Sequence, residues 1–218
     1  MSWDILQPMW LDSIGSTLYM VAISMVFGGL LGLIIGLLLY ATRPGNLLQN
    51  AVVFNILNVI VNVVRPIPFI IFITLMQPAA KAIVGQSYGA TAAIVPIVLM
   101  AGVAFGRLIE QNLVAVDPGV VEAAKSMGAG NWRVLFGVVL PEALGPLILA
   151  YTFLFIGVVD MSAVAGYIGG GGLGDFAITY GYQQYDYNVT LIAVITIIVI
   201  VQVAQYLGNW LARKVMHR

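Results

Sequence analysis

Five stretches of this chain are each about twenty residues long and nearly free of charge. They leave the chain little choice of solvent. They cover residues 14–40, 55–77, 90–109, 147–165 and 189–211. A helix needs about 20 apolar residues to cross the hydrocarbon of a bilayer. Within that layer each backbone N–H and C=O must be bonded inside the segment, which a helix achieves by itself. The expected fold class is an all-α membrane protein with five transmembrane helices. Composition agrees, since 61% of the 218 residues are hydrophobic and only 8% are charged. An ordinary soluble domain carries roughly 25% charged residues.

The N-terminus lacks the basic region of a secretory signal. Asp4 and Asp12 precede the first apolar run, with no Lys or Arg before it. That run is also too long for a signal peptide, so it reads as a retained span. The formal net charge of zero argues against a nucleic-acid partner. With no cysteine, disulfides and thiolate chemistry are excluded. The one histidine, His217, is next to last and reads as a solvated tail residue. No metal site is expected.

Basic residues set the orientation, because cytoplasmic loops of membrane proteins collect Lys and Arg. The N-terminus, the 78–89 loop and the 166–188 loop hold Lys81 alone. The 41–54 loop, the 107–146 connection and the C-terminal tail hold Arg43, Arg107, Lys125, Arg133, Arg213, Lys214 and Arg218. The expected topology has the N-terminus outside and the C-terminus in the cytoplasm. Residues 1–218 are expected to form a single transmembrane domain, with 107–146 as its longest cytoplasmic connection.

Polar residues inside the spans carry the next inferences. Ser24, Gly28, Gly32 and Gly36 repeat every four residues, as do Gly102 and Gly106. Such faces let two backbones approach closely in lipid, either within one chain or between subunits. Asn55, Asn58, Asn62 and Arg65 share one helical face. Arg65 falls at membrane depth, where a charge costs at least ~2.5 kcal/mol and so faces protein or water. It either satisfies carbonyls freed by Pro66 and Pro68 or lines a pathway; the pathway-lining face is the favoured reading. Asp160 sits late in the fourth span. It either meets outside water or pairs with Arg65 or a substrate ammonium group.

Two motif matches fail on context. Gly169-Gly170-Gly171-Gly172-Leu173-Gly174 fits G-x-G-x-x-G, but that fingerprint needs a strand before it and a βαβ unit around it. These glycines instead suit a re-entrant loop or hinge, with Gly169, Gly170, Gly171 and Gly172 as gate candidates. Gly85-Gln86-Ser87-Tyr88-Gly89 fits G-x-S-x-G. A serine hydrolase needs a histidine base, and His217 is expected across the membrane from Ser87. No Walker motif is present, so ATP is not expected to bind this chain.

The connection itself is punctuated like two helices. Asp117 can cap the first, Pro118 suits its first position, and Gly128 can stop it in a left-handed conformation. Val120, Ala124 and Met127 are expected to form its apolar face. A second helix is expected after an Asn131 cap, with Trp132, Leu135, Phe136, Val139 and Leu140 on one face and Pro141 ending it. A small-residue helix of this kind fits a groove in another protein; the alternative is an interfacial linker.

Here the residues resemble a family signature. Glu122-Ala123-Ala124, Gly128 and Leu140-Pro141 are similar to the EAA loop of binding-protein-dependent ABC importer permeases. That pattern runs EAA, three residues, G, nine residues, I, one residue, LP; Val138 replaces the Ile. Arg65-Pro66-Ile67-Pro68-Phe69 resembles R-S-I-P-F, and Ser162-Ala163 through Gly174 to Tyr180-Gly181-Tyr182 resembles S-A-M…GGGGLG…YGY. Both are similar to the methionine-uptake permeases of the bacterial inner membrane, which are five-span subunits of about this length. Asp160 and Met161 depart, standing where those proteins often have Gly and Tyr.

The resemblance implies a type I ABC importer fold and a homodimer. It also implies two cytoplasmic ATPase subunits, which hold the ATP and Mg, and an extracytoplasmic binding protein or lipoprotein. Glu122, Ala123, Ala124, Gly128 and Pro141 would belong to the ATPase-coupling loop. Asn62, Arg65, Asp160, Met161 and Ser162 are the pathway candidates for methionine. Rival readings are a permease of the same type for another small solute, such as a polar amino acid, and a small channel or secondary carrier. The chain itself is not expected to be an enzyme or to hold a cofactor.

Overall fold

The computed structural model describes residues 3–216, so the expectation for His217 lies outside the described residues. Eleven α-helices follow one another: α1 (Trp3–Thr42), α2 (Ala51–Val64), α3 (Phe69–Leu75), α4 (Gln77–Val84), α5 (Ala90–Val114), α6 (Pro118–Ser126), α7 (Asn131–Val134), α8 (Leu140–Glu142), α9 (Leu144–Ala165), α10 (Gly172–Phe176) and α11 (Tyr187–Met216). Two π-helical segments, Leu135–Val139 and Ala177–Tyr182, widen the ladder between them, whereas Gly166–Gly170 kinks it, with Ile168 and Gly169 outside helical geometry.

Helices α1, α5 and α11 and the α9 region are each long and apolar enough to cross a membrane. The second apolar run is not straight. It breaks into α2 and α3, which meet at 109°. Pro66 and Pro68 remove two ladder donors within three residues, and the helix breaks there. The backbone recovers with Ile67 N–H donating to Val64 O (3.1 Å) and Phe72 N–H to Pro68 O (3.0 Å). The third helix runs on past its apolar core to Val114, so residues 107–114 extend α5 into the expected connection.

The centre of the bundle is the pair α1 and α5. Lipid tails are as apolar as the side chains, so close packing holds such helices together. The glycines supply it within the chain. A Cβ on Gly36 would sit 2.5 Å from Ile109 Cβ, one on Gly32 would sit 2.8 Å from Phe105 Cβ, and one on Gly106 would sit 2.6 Å from Ile35 Cγ2. The stripes therefore serve packing inside one chain. Helix α9 closes on this pair through Tyr151, whose hydroxyl donates to Met25 O at 2.9 Å. Helix α11 crosses α9 where Gly208 leaves room for Thr152. Met20, Leu39, Ile97, Ile109, Leu113 and Val158 are fully buried between these helices.

Outside this core the chain is greasy. Phe27, Leu30 and Ile34 on α1 and Ile195, Ile198 and Val199 on α11 are each more than half exposed. A water-soluble monomer rarely shows apolar surface on that scale, whereas in lipid it carries no penalty.

Candidate functional site

The short helix α6 is built by its ends. Asp117 Oδ1 accepts from Gly119 N–H at 2.8 Å, and Pro118 occupies the first turn, where its missing N–H leaves no carbonyl unpaired. At the other end Gly128 has φ +81. Its N–H donates to Lys125 O (2.9 Å) and Ala129 N–H donates to Ala124 O (3.1 Å). That pair of bonds is a Schellman stop.

The helix rests on the bundle through Ala124, with Val121 partly buried beside it. The expected face of Val120, Ala124 and Met127 is only partly right. Val120 is 39% and Met127 81% exposed. At 100° per residue the inward direction falls between Ala124 and Val121. Val120, Ala123 and Met127 are thereby turned outward, beside the exposed Glu122, Lys125 and Ser126.

The following helix departs from expectation in three ways. Gly130, not Asn131, takes the N-cap position. The Asn131 side chain instead donates to Leu47 O at 2.6 Å, which ties α6 and α7 to the turn after α1. Trp132 and Phe136 stack at 5.9 Å and face outward, while Val134, Leu135 and Val139 are buried. Pro141 does not end the helix. The π turn at Leu135–Val139 widens the ladder before the proline, so helical backbone continues through Glu142 and into α9. A cleft of about 320 Å³ lies between α6 and the turn after α1, lined by Arg43, Asn46, Glu122 and Lys125 and by apolar residues such as Val116 and Val121.

The membrane-depth candidates fall in different settings. Arg65 is exposed at the α2–α3 break, and Asp160 is exposed on α9. They are not paired with each other, because the only ion pair among the described residues joins Arg107 and Glu110. Asn62 is exposed and donates to Asn58 Oδ1 at 3.3 Å. Met161 is partly buried. Ser162 is 1% exposed, and its hydroxyl donates to Val159 O at 2.7 Å, so it packs inward in this conformation.

The glycine segment is a tightly built turn. Gly169, Gly171 and Gly172 have φ of +90, +72 and +83. The chain doubles back so closely that a Cβ on Gly166 would lie 2.5 Å from Asp175 N. Two outer bonds hold it: Leu173 N–H to Thr17 Oγ1 at 2.8 Å, and Gly89 N–H to Gly169 O at 3.0 Å. No strand occurs among the described residues, so the context that a dinucleotide fingerprint needs is missing there.

The Arg107–Glu110 pair lies outside the expected site residues, since Arg107 reads from the charge pattern as a loop charge alone. An i, i+3 pair of opposite charges next to an apolar run was the available signal.

Comparison with known proteins agrees with this geometry. Residues 28–217 match the family model described as "Binding-protein-dependent transport system inner membrane component". The Vibrio cholerae "Probable D-methionine transport system permease protein MetI" is 43% identical over 202 residues, covering 93% of this chain and 90% of that one. The Bacillus subtilis "Methionine import system permease protein MetP" is 40% identical over 172 residues, covering 79% and 78%. A solved structure titled as an inward-facing conformation of the MetNI methionine ABC transporter superposes with a TM-score of 0.94 at 37% identity, covering 99% of both chains. This chain belongs to the family of binding-protein-dependent transport system inner membrane components.

Proposed function

We propose that this chain is the permease subunit of an ATP-driven importer and that its substrate is methionine. The observation that carries the reading is α6: a capped, Schellman-stopped helix that presents Val120, Ala123 and Met127 to solvent between charged residues. Apolar side chains held outward on a rigid, small-residue helix suit a groove in a partner. The partner is a cytoplasmic ATPase that supplies ATP and Mg, and this chain hydrolyses nothing. Closure of two such ATPases draws two α6 helices together and rocks the bundles from inward- to outward-facing.

Two copies of the chain form the pathway. Arg65 and Asp160 are exposed on a single copy, and each would cost at least ~2.5 kcal/mol against lipid. A second copy and a water-filled path between them remove that cost. Methionine is a zwitterion with an apolar thioether tail. Arg65 and Asn62 suit its carboxylate, Asp160 its ammonium group, and Met161 its tail; Ser162 joins them only if α9 rotates. The N-terminus lies outside and the C-terminus in the cytoplasm. An extracytoplasmic binding protein delivers substrate to the face that carries the Gly169–Gly172 turn, which acts as the outer hinge. Homology to proteins named for methionine import supports the substrate.

Reconstitution tests this. The chain, its ATPase and its binding protein in proteoliposomes should accumulate labelled methionine only with ATP inside the ATPase compartment. Equal uptake without ATP would overturn the importer reading, and competition by polar amino acids but not methionine would overturn the substrate.

A further inference from the structure

We infer that Asn58 and Arg107 form a latch that passes movement of α6 to the Arg65 break, a positioning role resting on the importer reading above. Arg107 Nη1 donates to two acceptors. One is Glu110 Oε2 at 2.5 Å on its own helix, and the other is Asn58 Oδ1 at 3.4 Å on α2. Asn62 Nδ2 donates to the same Asn58 oxygen at 3.3 Å, which has two lone pairs to offer. Glu110 is buried, its side chain 4% exposed. A buried carboxylate needs its cation partner in place, so Glu110 fixes Arg107 to α5.

The two halves of the latch differ in strength. The pair within α5 is short and charge-assisted, and it persists whatever α2 does. The bonds across to α2 and along it lie beyond the usual 2.7–3.2 Å range. They suit a contact that is made in one state and released in another.

Position gives the latch its reach. Helix α5 runs unbroken from the latch to Val114, and α6 begins at Pro118. Pro96, the one proline in α5, lies on the far side of the latch from α6. A push on α6 therefore arrives at Arg107 through about two turns of helix. From Asn58 the same face of α2 leads past Asn62 to Arg65, where the helix bends by 109° toward α3. Neither Asn58 nor Arg107 needs to touch substrate. A simple staple between helices would use the same contacts, but it would alter stability and not the ratio of transport to hydrolysis.

The test uses the full importer in proteoliposomes, reading methionine transported per ATP hydrolysed. Asn58→Leu removes the acceptor. A contact this long is worth less than a well-formed bond to a charged donor, about threefold in an equilibrium constant. The expected result is about a threefold fall in that ratio, with ATPase association retained. Asn58→Asp restores an acceptor for Arg107 and should recover most of the ratio. If Asn58→Leu does not assemble, Asn58→Ala is read in its place. An unchanged ratio in either variant overturns the latch, as does an equal fall for Asn58→Asp. Failure of the unmodified importer to move methionine would instead strike the importer reading.

Discussion

Replacing Gly36 by alanine should destabilise this chain, while the same replacement at Gly15 on the same helix should stabilise it. An alanine Cβ at position 36 would lie 2.5 Å from Ile109 Cβ, 2.6 Å from Ile109 Cγ2 and 2.7 Å from Gly106 O. Ordinary contact begins at 3.4 Å, so relief requires a shift of about 0.9 Å. Ile109 is fully buried and cannot swing away, and the carbonyl belongs to the opposing backbone. The helices must part, and the neighbouring contacts at Gly32 and Gly106 loosen with them. Overpacking of this kind costs about 1–3 kcal/mol. Alanine returns up to about 1 kcal/mol of helix propensity, leaving a net loss of up to about 2 kcal/mol. At Gly15 nothing lies within 4 Å of the new Cβ, so only the propensity gain of about 0.5–1 kcal/mol remains. Unfolding of the purified permease by titration with a denaturing detergent measures both. Stability of Gly36→Ala equal to or above that of Gly15→Ala would refute the claim that these glycines set the α1–α5 distance.

Other predictions follow from the α6 region and the path. Gly128→Ala should cost about 1–2 kcal/mol at its φ of +81 and weaken ATPase pull-down. Gly128→Pro, which cannot adopt that φ at all, should abolish it while membrane insertion persists; normal pull-down by the proline variant would sink the docking role. The chain has no cysteine, so Ala129→Cys gives a single reporter. It should react with impermeant maleimide only from the cytoplasmic side, and outside labelling would reverse the proposed topology. Asp160→Asn should raise the KM for methionine if its charge meets the ammonium group, and unchanged uptake kinetics would return Asp160 to a solvated surface role.

Much of the α6 site was legible because helix ends are local chemistry. Asp117, Pro118 and Gly128 act through bonds to residues at most four away, and the structure shows the cap, the first turn and the stop that those residue types favour. The direction α6 faces was not legible. Val120, Ala124 and Met127 satisfy an apolar stripe on paper, but only Ala124 is buried, because the surface it meets is built by α7 and Leu135. Pro141 departs for a local reason. A proline usually stops a helix, yet the π turn five residues wide before it absorbs the clash.

The apolar runs and their helical state followed from the sequence alone, since a run of about twenty apolar residues satisfies its backbone in a bilayer as a helix; four of the five are long helices and the second is a pair bent by 109°. The carbonyls freed at Pro66 and Pro68 followed too, because a missing N–H is a property of the residue; the 109° break there did not. Tertiary structure alone decided which glycine faces met, and it assigned them to α1 against α5. It alone set Arg107 against Asn58 of α2, and it left Arg65 and Asp160 apart. Helical spacing states which residues share a face; only packing against another helix states what that face meets.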